Sequence, residues 1–249
     1  MLIKSNRNGF GRDSFCKTLI TAKEVYHPAL GTDTFRESSK YQKLCTRFIQ
    51  GGSIYPERVI KVAKFGNYSY FFNEYNVNYI SIGTATEKDY ILADDEYTID
   101  CWVLATPNTS RIPEDTSHIF GWFSRSTYNT CRLYFNGTTL SIIYEIFEGG
   151  SSVASVTYDY ASYLNKWTHI AVCRNNDTDL ICLYLDGVLV DSTAIVGQLA
   201  TYDSPLLIGN FFTTSYSPIN LYMDEFRYSK GIARYVNNNF IVPNRAYYL

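Results

Sequence analysis

The chain has 249 residues, a formal charge of −2, and a composition that is 46% hydrophobic, 16% aromatic and only 18% charged. So even a balance gives no electrostatic reason to bind nucleic acid, which needs clustered Lys and Arg, and nowhere do roughly 18 apolar residues run together as a membrane span requires. The first ten residues, M-L-I-K-S-N-R-N-G-F, lack an apolar core of signal-peptide length, so synthesis and retention in a cytoplasm, until a non-secretory release, is the expectation.

Residues 1–12 are polar and read as an N-terminal arm, either a disordered end or a segment that docks on a neighbour, followed by one domain over 13–249. Strands are predicted where β-branched and aromatic residues cluster between polar or glycine-bearing breaks. In order these are Phe15–Ala22, Leu44–Ile49, Val59–Phe65, Tyr68–Phe72, Tyr79–Ile82 and Tyr97–Leu104, the last two expected to pair. A loop over Thr106–Ser117 precedes Ile119–Phe123, Cys131–Phe135, Leu140–Phe147 and the less regular Val153–Tyr160. Asn136-Gly137 is a type I′ hairpin signal. In the last but one strand, Ile142, Tyr144 and Ile146 share a face opposite Ile143, Glu145 and Phe147.

The stretch from Trp167 to Val190 is the expected centre of an antiparallel sheet. Trp167, His169, Ala171 and Cys173 share one face and Thr168, Ile170 and Val172 the other, so the strand should be covered on both sides. Asp186-Gly187 tolerates the positive φ angles of a two-residue hairpin turn. Leu206–Asn210 and Leu221–Tyr228 follow, then a turn or single helical turn over Ser229–Tyr235 and a polar connector at Asn237–Asn239. No long window carries a 3.6-residue apolar period. The reading is all-β, with about 12 to 14 strands, the number a two-sheet antiparallel jelly roll needs.

Several segments in this order carry a resemblance: Y-T-I-D-C-W-V, W-T-H-I-A-V, L-Y-L-D-G-V-L-V, P-L-L-I-G-N and L-Y-M-D-E-F-R-Y-S-K-G-I-A-R-Y. Together they resemble the laminin G-like branch of the concanavalin A-like lectin/glucanase superfamily, in the variety found in bacteriophage structural proteins. That resemblance covers roughly Asp13 to Pro243, which favours one domain over two. It implies a structural role for Trp167, His169, Asp186, Gly187 and Asp224. It also implies a virion setting, with other virion proteins as partners, a homo-oligomeric array, and release from the host cytoplasm by lysis.

Enzymes of the superfamily are glycosidases whose two carboxyls stand on one face, about 5 Å or about 6.5–9.5 Å apart. No such alternation occurs. Glu145 and Glu148 are three apart, Asp94-Asp95-Glu96 reads as a solvated turn, and Asp224 and Glu225 are adjacent, the latter placed to pair with Arg227. No catalytic residue is assigned. No cofactor is expected; calcium is the ion the resemblance would bring, with Asp94, Asp95, Asp177 and Asp179 as candidate ligands. The six cysteines, without C-x-x-C spacing, read as reduced. Sugar or partner binding falls to two aromatic loops: Tyr128 with Asn129, and Asn210 with Phe211, Phe212 and Tyr216. The expected function is a non-enzymatic structural and interaction module of a virion: a capsid decoration, fibre or tail accessory protein. A lectin-like attachment module for cell-surface polysaccharide is the alternative, and a glycosidase a remote third.

Overall fold

A computed structural model describes residues 16–20, 45–50, 57–60, 62–72, 77–84, 88–90, 92–107, 116–124, 127–195, 197–199, 202, 204–210, 219–236 and 238–247. Among the described residues, fifteen strands form two antiparallel sheets, with 3-10 turns at Lys88–Tyr90 and Ala161–Tyr163. In chain order the strands are β1 (Cys16–Ile20), β2 (Cys45–Gln50), β3 (Glu57–Ile60), β4 (Tyr68–Phe72), β5 (Val77–Ile82), β6 (Tyr97–Pro107), β7 (Thr116–Ser124) and β8 (Asn129–Asn136). Then come β9 (Ser141–Glu148), β10 (Ser151–Asp159), β11 (Trp167–Asn175), β12 (Leu180–Leu185), β13 (Val188–Ala194), β14 (Leu206–Asn210) and β15 (Ile219–Lys230). The eight-stranded sheet runs β13-β12-β11-β6-β15-β4-β3, with β1 also on β15; the seven-stranded sheet runs β10-β9-β8-β7-β14-β5-β2. The expected arm at 1–12 lies outside the described residues.

Alternation along each strand puts one set of side chains between the sheets. Ile99, Cys101 and Val103 of β6, Ile170 and Val172 of β11, and Leu183 and Leu185 of β12 meet Leu133, Phe135, Ile142, Tyr144 and Ile146 from the other sheet, all at 1% exposure or less. Several core tyrosines find partners for their hydroxyls there, among them Tyr97, Tyr144 and Tyr228. Tyr97 Oη lies 2.7 Å from Tyr144 Oη, which sits 2.9 Å from Cys131 Sγ. Burial pushes the Cys131 thiol up to about 12, so this network is uncharged at neutral pH. All six cysteines are free thiols.

Three expectations need correcting. Tyr79–Ile82 and Tyr97–Leu104 do not pair: β5 pairs with β2 and β14, while β6 lies in the opposite sheet. The connection between them crosses the sandwich, so Ile80 and Ile99 belong to one core from opposite sides. The Trp167–Val190 stretch is not central either, since it runs outward from β11 to the edge strand β13. The centre belongs to β6 and β15, the two longest strands. Finally, Asn136-Gly137 makes no type I′ turn, as neither residue has positive φ. The loop instead spans 137–140, with Leu140 at φ 52°, and Asn136 Oδ1 accepts from the amides of Thr138 and Thr139.

β15 contains a bulge between Asp224 and Arg227, where Glu225 takes φ 54°. One extra residue reverses the alternation. Leu221 and Met223 face the core before it and Phe226 and Tyr228 after it, turning Arg227 and Ser229 to the outer face. β15 also continues to Lys230, beyond the turn expected from Ser229. Residues 231–236 and 238–247 then form an irregular strap along the outer face of the eight-stranded sheet. Gly231 N donates to Glu96 O at 2.7 Å, Arg234 N to Thr98 Oγ1 at 2.8 Å, and Phe240 N to Gly187 O at 2.8 Å. Ala171, Cys173, Cys182 and Tyr184 pack beneath Tyr235 and Phe240, whose rings stack at 3.6 Å.

The Asp186-Gly187 turn is as the sequence implies, with φ 47° and 79°, and Asp186 Oδ1 accepts from His169 N at 2.8 Å. Gly187 is needed twice over. A Cβ there would stand 2.1 Å from the carbonyl oxygen of Phe240, on a φ that side chains avoid. Gly187→Ala should therefore cost about 1–3 kcal/mol in urea unfolding and loosen the strap, read as faster amide exchange at Phe240.

Candidate functional site

Two side-chain clusters combine polar and aromatic groups in the manner of a working site. The first lies on the outer face of the eight-stranded sheet, under the strap. Asp100 and Arg227 are register partners across β6 and β15, both buried. Arg227 Nε donates to Asp100 Oδ1 at 2.9 Å and Nη2 to Oδ2 at 2.6 Å. The hydroxyls of Tyr235 and Tyr247 donate to Oδ2 at 2.9 and 2.5 Å, and His169 Nε2 stands 3.4 Å from the same oxygen. Burial alone would raise the Asp100 pKa, but the Arg227 charge and the hydrogen bonds outweigh it and hold the carboxyl well below the usual range.

Asp, His and two Tyr together resemble catalytic machinery, yet every one is engaged inside the scaffold. His169 packs edge-on against Trp102 and Phe240, and Tyr247 N donates to Glu225 Oε2 at 2.6 Å. Asp224 Oδ2 accepts from Phe65 N at 3.0 Å. Arg227 pairs with Asp100, and Glu225 Oε2 takes the Tyr247 amide. His169, Asp186, Gly187 and Asp224 all make contacts within the scaffold, and Trp167, half-buried, opens β11 opposite Leu104. Asp100→Ala would leave Arg227 buried without its counter-charge and should cost about 3–5 kcal/mol, measured by urea denaturation.

The second cluster lies on the outer face of the seven-stranded sheet. β7, β8 and β9 place Phe123, Thr130 and Phe147 in one cross-strand row, and Gly121, Arg132 and Glu145 in the next. Gly121 offers no side chain opposite Arg132, which leaves room beside the guanidinium. At the end of these strands, Asn129 Oδ1 accepts from Gly149 N at 2.9 Å and Tyr128 O from Gly150 N at 3.2 Å, tying two turns together. The Gly149-Gly150 turn has φ 56° and 79°, the type I′ geometry that two-residue hairpins favour. Tyr128, at φ 54°, projects its ring into solvent at 72% exposure. The result is a hollow of about 400 Å³ lined by Phe123, Ser124, Tyr128, Thr130, Arg132, Phe147 and Gly150.

Arg132 is held from three sides. Its Nε and Nη2 donate to Glu145 Oε1, the former at 2.7 Å; its guanidinium lies 4.5 Å from the Tyr134 ring centre; and Nη1 is 3.4 Å from His118 Nε2. Burial, reinforced by the Arg132 charge, pushes the His118 pKa down to about 3. Glu145 has Arg132 and Ser155 as cross-strand neighbours, neither a carboxyl.

Of the residues expected to bind, Tyr128 stands on the rim, while Asn129 is a buried anchor between turns. The backbone of Asn210 pairs with Asn78; its side chain and Phe211, Phe212 and Tyr216 lie outside the described residues. The register Leu207–Gly121 places Asn210 toward the Thr116 end of β7, and Tyr128 follows its Ser124 end. The Asn210 backbone and Tyr128 are therefore at opposite ends of the sheet. Phe123, Thr130, Arg132 and Phe147 were not anticipated, although T-C-R-L-Y-F alternates and places Arg132 outward.

The loops of the calcium candidates meet: Asn176 donates to the Asp94 carbonyl, and its amide lies 3.4 Å from Glu96 Oε1. Asp95, however, pairs with Lys230 at 3.1 Å, and among the described residues no three His, Cys, Asp or Glu side chains gather as a metal site. No helix among them is long and apolar enough to cross a membrane.

The His118 geometry has a measurable consequence. Its folded pKa of about 3 lies below the ordinary 6.5, so between those values the unfolded chain binds more protons. Stability from this group is complete above pH 6.5 and falls on acidification toward pH 3, by up to about 1.4 kcal/mol per pH unit. His118→Gln should flatten the part of the stability profile between pH 7 and about 5, above the range where ordinary carboxylates titrate, as followed by urea unfolding.

No curated protein matches the sequence significantly. Among solved structures, the botulinum neurotoxin serotype D ligand binding domain in complex with N-acetylneuraminic acid aligns at TM-score 0.63 and 12% identity, over 88% of this chain and 48% of that one. The receptor binding domain of botulinum neurotoxin D gives 0.62 and 13%, covering 88% and 50%, and the serotype G binding domain 0.57 and 16%, covering 88% and 48%. This chain spans about half the length of those domains, and at such identities the likeness concerns the fold. The sequence profile described as the concanavalin A-like lectin/glucanases superfamily, of laminin G type, matches residues 76–232. With more than half its length matched, the chain belongs to the concanavalin A-like lectin/glucanases superfamily.

Proposed function

We propose that this chain is a non-enzymatic binding module carried on a bacteriophage particle, among other virion proteins and in a symmetric array of its own copies. The observation that carries the binding reading is the Tyr128 hollow, where a solvent-exposed aromatic, two phenylalanines and a pinned arginine meet at the surface. A non-catalytic role is supported by how the conspicuous carboxylates are spent: Asp100 on Arg227, Glu145 on Arg132, Asp224 on the Phe65 amide and Glu225 on the Tyr247 amide. The virion setting rests on the sequence resemblance to phage laminin G-like domains.

Within this reading, the hollow favours carbohydrate as the target. Its volume, about 400 Å³, falls in the range of small-molecule sites, about 300–1,000 Å³, and aromatic faces with a few fixed donors are what a pyranose ring requires. The serotype D domain solved with N-acetylneuraminic acid gives a sugar-bound protein on a comparable fold, although this chain covers only half of it.

Two measurements test the proposal. Mass spectrometry of purified particles should find this chain in fixed stoichiometry with the major virion proteins; its absence would end the virion reading. Tyr128→Ala, at a residue 72% exposed, should leave thermal stability nearly unchanged and weaken attachment of the chain to whole host cells by about tenfold. Unchanged attachment would remove the hollow from the function.

A further inference from the structure

The Tyr128 hollow also contains information about the charge of what it accepts, and this inference rests on the carbohydrate reading above. Among the described residues that line it, Arg132 supplies the one formal positive charge. That charge is already matched, because Nε and Nη2 both donate to a Glu145 carboxylate that is itself 8% exposed. Tyr134 covers the guanidinium from one side. His118, the other titratable group against Nη1, is neutral above acidic pH. Arg132, Glu145 and His118 therefore sum to zero. An acidic group entering the hollow would have to displace Glu145 from Arg132 or sit beside its carboxylate in a partly dry site, where like charges repel strongly.

An uncharged ring meets no such cost. Phe123, Phe147 and Tyr128 offer apolar faces to ring C–H groups. A guanidinium has five N–H donors in a fixed fork; two of them, on Nε and Nη2, are committed to Glu145, and one on Nη1 faces His118 Nε2 at 3.4 Å. Those remaining, with the Thr130 hydroxyl, can serve neutral sugar oxygens. Because Glu145 fixes the fork in place, those donors are oriented before a ligand arrives. We propose that the Tyr128 hollow selects an uncharged hexopyranose and discriminates against acidic sugars, with Glu145 as the residue that sets this preference by occupying Arg132.

The test is an array probed with the full chain. It carries oligomers of glucose, galactose, mannose and N-acetylglucosamine beside the same cores bearing sialic acid, hexuronate or sulfate. Wild type should retain neutral glycans, with affinity changing by no more than roughly twofold when salt is raised tenfold, as expected without a net charge contact. Tyr128→Ala should lower that binding about tenfold. Glu145→Gln, which frees the Arg132 charge, should raise retention of the acidic members relative to their neutral cores; its thermal melt is recorded alongside. If wild type holds acidic glycans as well as or better than neutral ones, the inference is overturned while the carbohydrate reading stands. If no glycan is retained, both fall and a protein contact takes their place. Neutral binding indifferent to Tyr128→Ala would move the site elsewhere and overturn the inference regardless of how Glu145→Gln folds.

Discussion

The fold depends on how one negative charge is kept in a dry place. Asp100 is fully buried on the outer face of β6, and an ionised carboxylate taken out of water costs far more than a few contacts return unless it is paired and hydrogen-bonded. The chain meets that demand with Arg227, Tyr235 and Tyr247. Each requirement then imposes another. Arg227 faces Asp100 because β15 carries a bulge, and the bulge exists where the core needs Phe226 and Tyr228 inside. The two tyrosine hydroxyls require the strap, and the strap closes against Gly187 because no side chain intervenes there.

The sandwich divides its polar chemistry between two outer faces. Beneath the strap, ionisable groups are consumed in holding the molecule together. At the Tyr128 end of the seven-stranded sheet, a comparable set of groups is held in place yet half-open. The arginine there is paired with a carboxylate as Arg227 is, but its side chain is 25% exposed and borders a hollow rather than a lid. Membership of the superfamily accounts for the sheets; what the protein does follows from side chains placed on them.

Much of this architecture was legible in the residues. The alternation of Ile142, Tyr144 and Ile146, the two-sided burial of β11 and the Asp186-Gly187 turn all reflect local rules that need no knowledge of partners. Even the bulge leaves a trace, since apolar positions shift from Leu221 and Met223 to Phe226 and Tyr228. Pairing between strands is different. Whether Tyr79–Ile82 joins Tyr97–Leu104 or crosses to the other sheet depends on partners as distant as Phe48 and Leu206, which no local pattern encodes. Asn136-Gly137 has the favoured turn chemistry but sits in a four-residue loop, while Gly149-Gly150 forms the tight hairpin. The hollow was half visible: Tyr128 stands out as a loop aromatic, whereas Arg132, Phe123 and Phe147 become neighbours only through the β7–β8–β9 register.

The wide spacing of the Asp100 partners bears on how the molecule is made. Arg227 lies 127 positions downstream and Tyr247 lies 147, and contacts of such sequence separation form slowly because the intervening loop must first be closed. On the ribosome, a nascent chain that has completed β6 therefore has a carboxylate with no native counter-charge until most of the remaining residues have emerged. The eight-stranded sheet cannot mature strand by strand during synthesis. Its final closure belongs to the period after residue 247 is free to move, and a protein arrested before that point would expose Asp100 and the aromatic underside of the sheet to solvent.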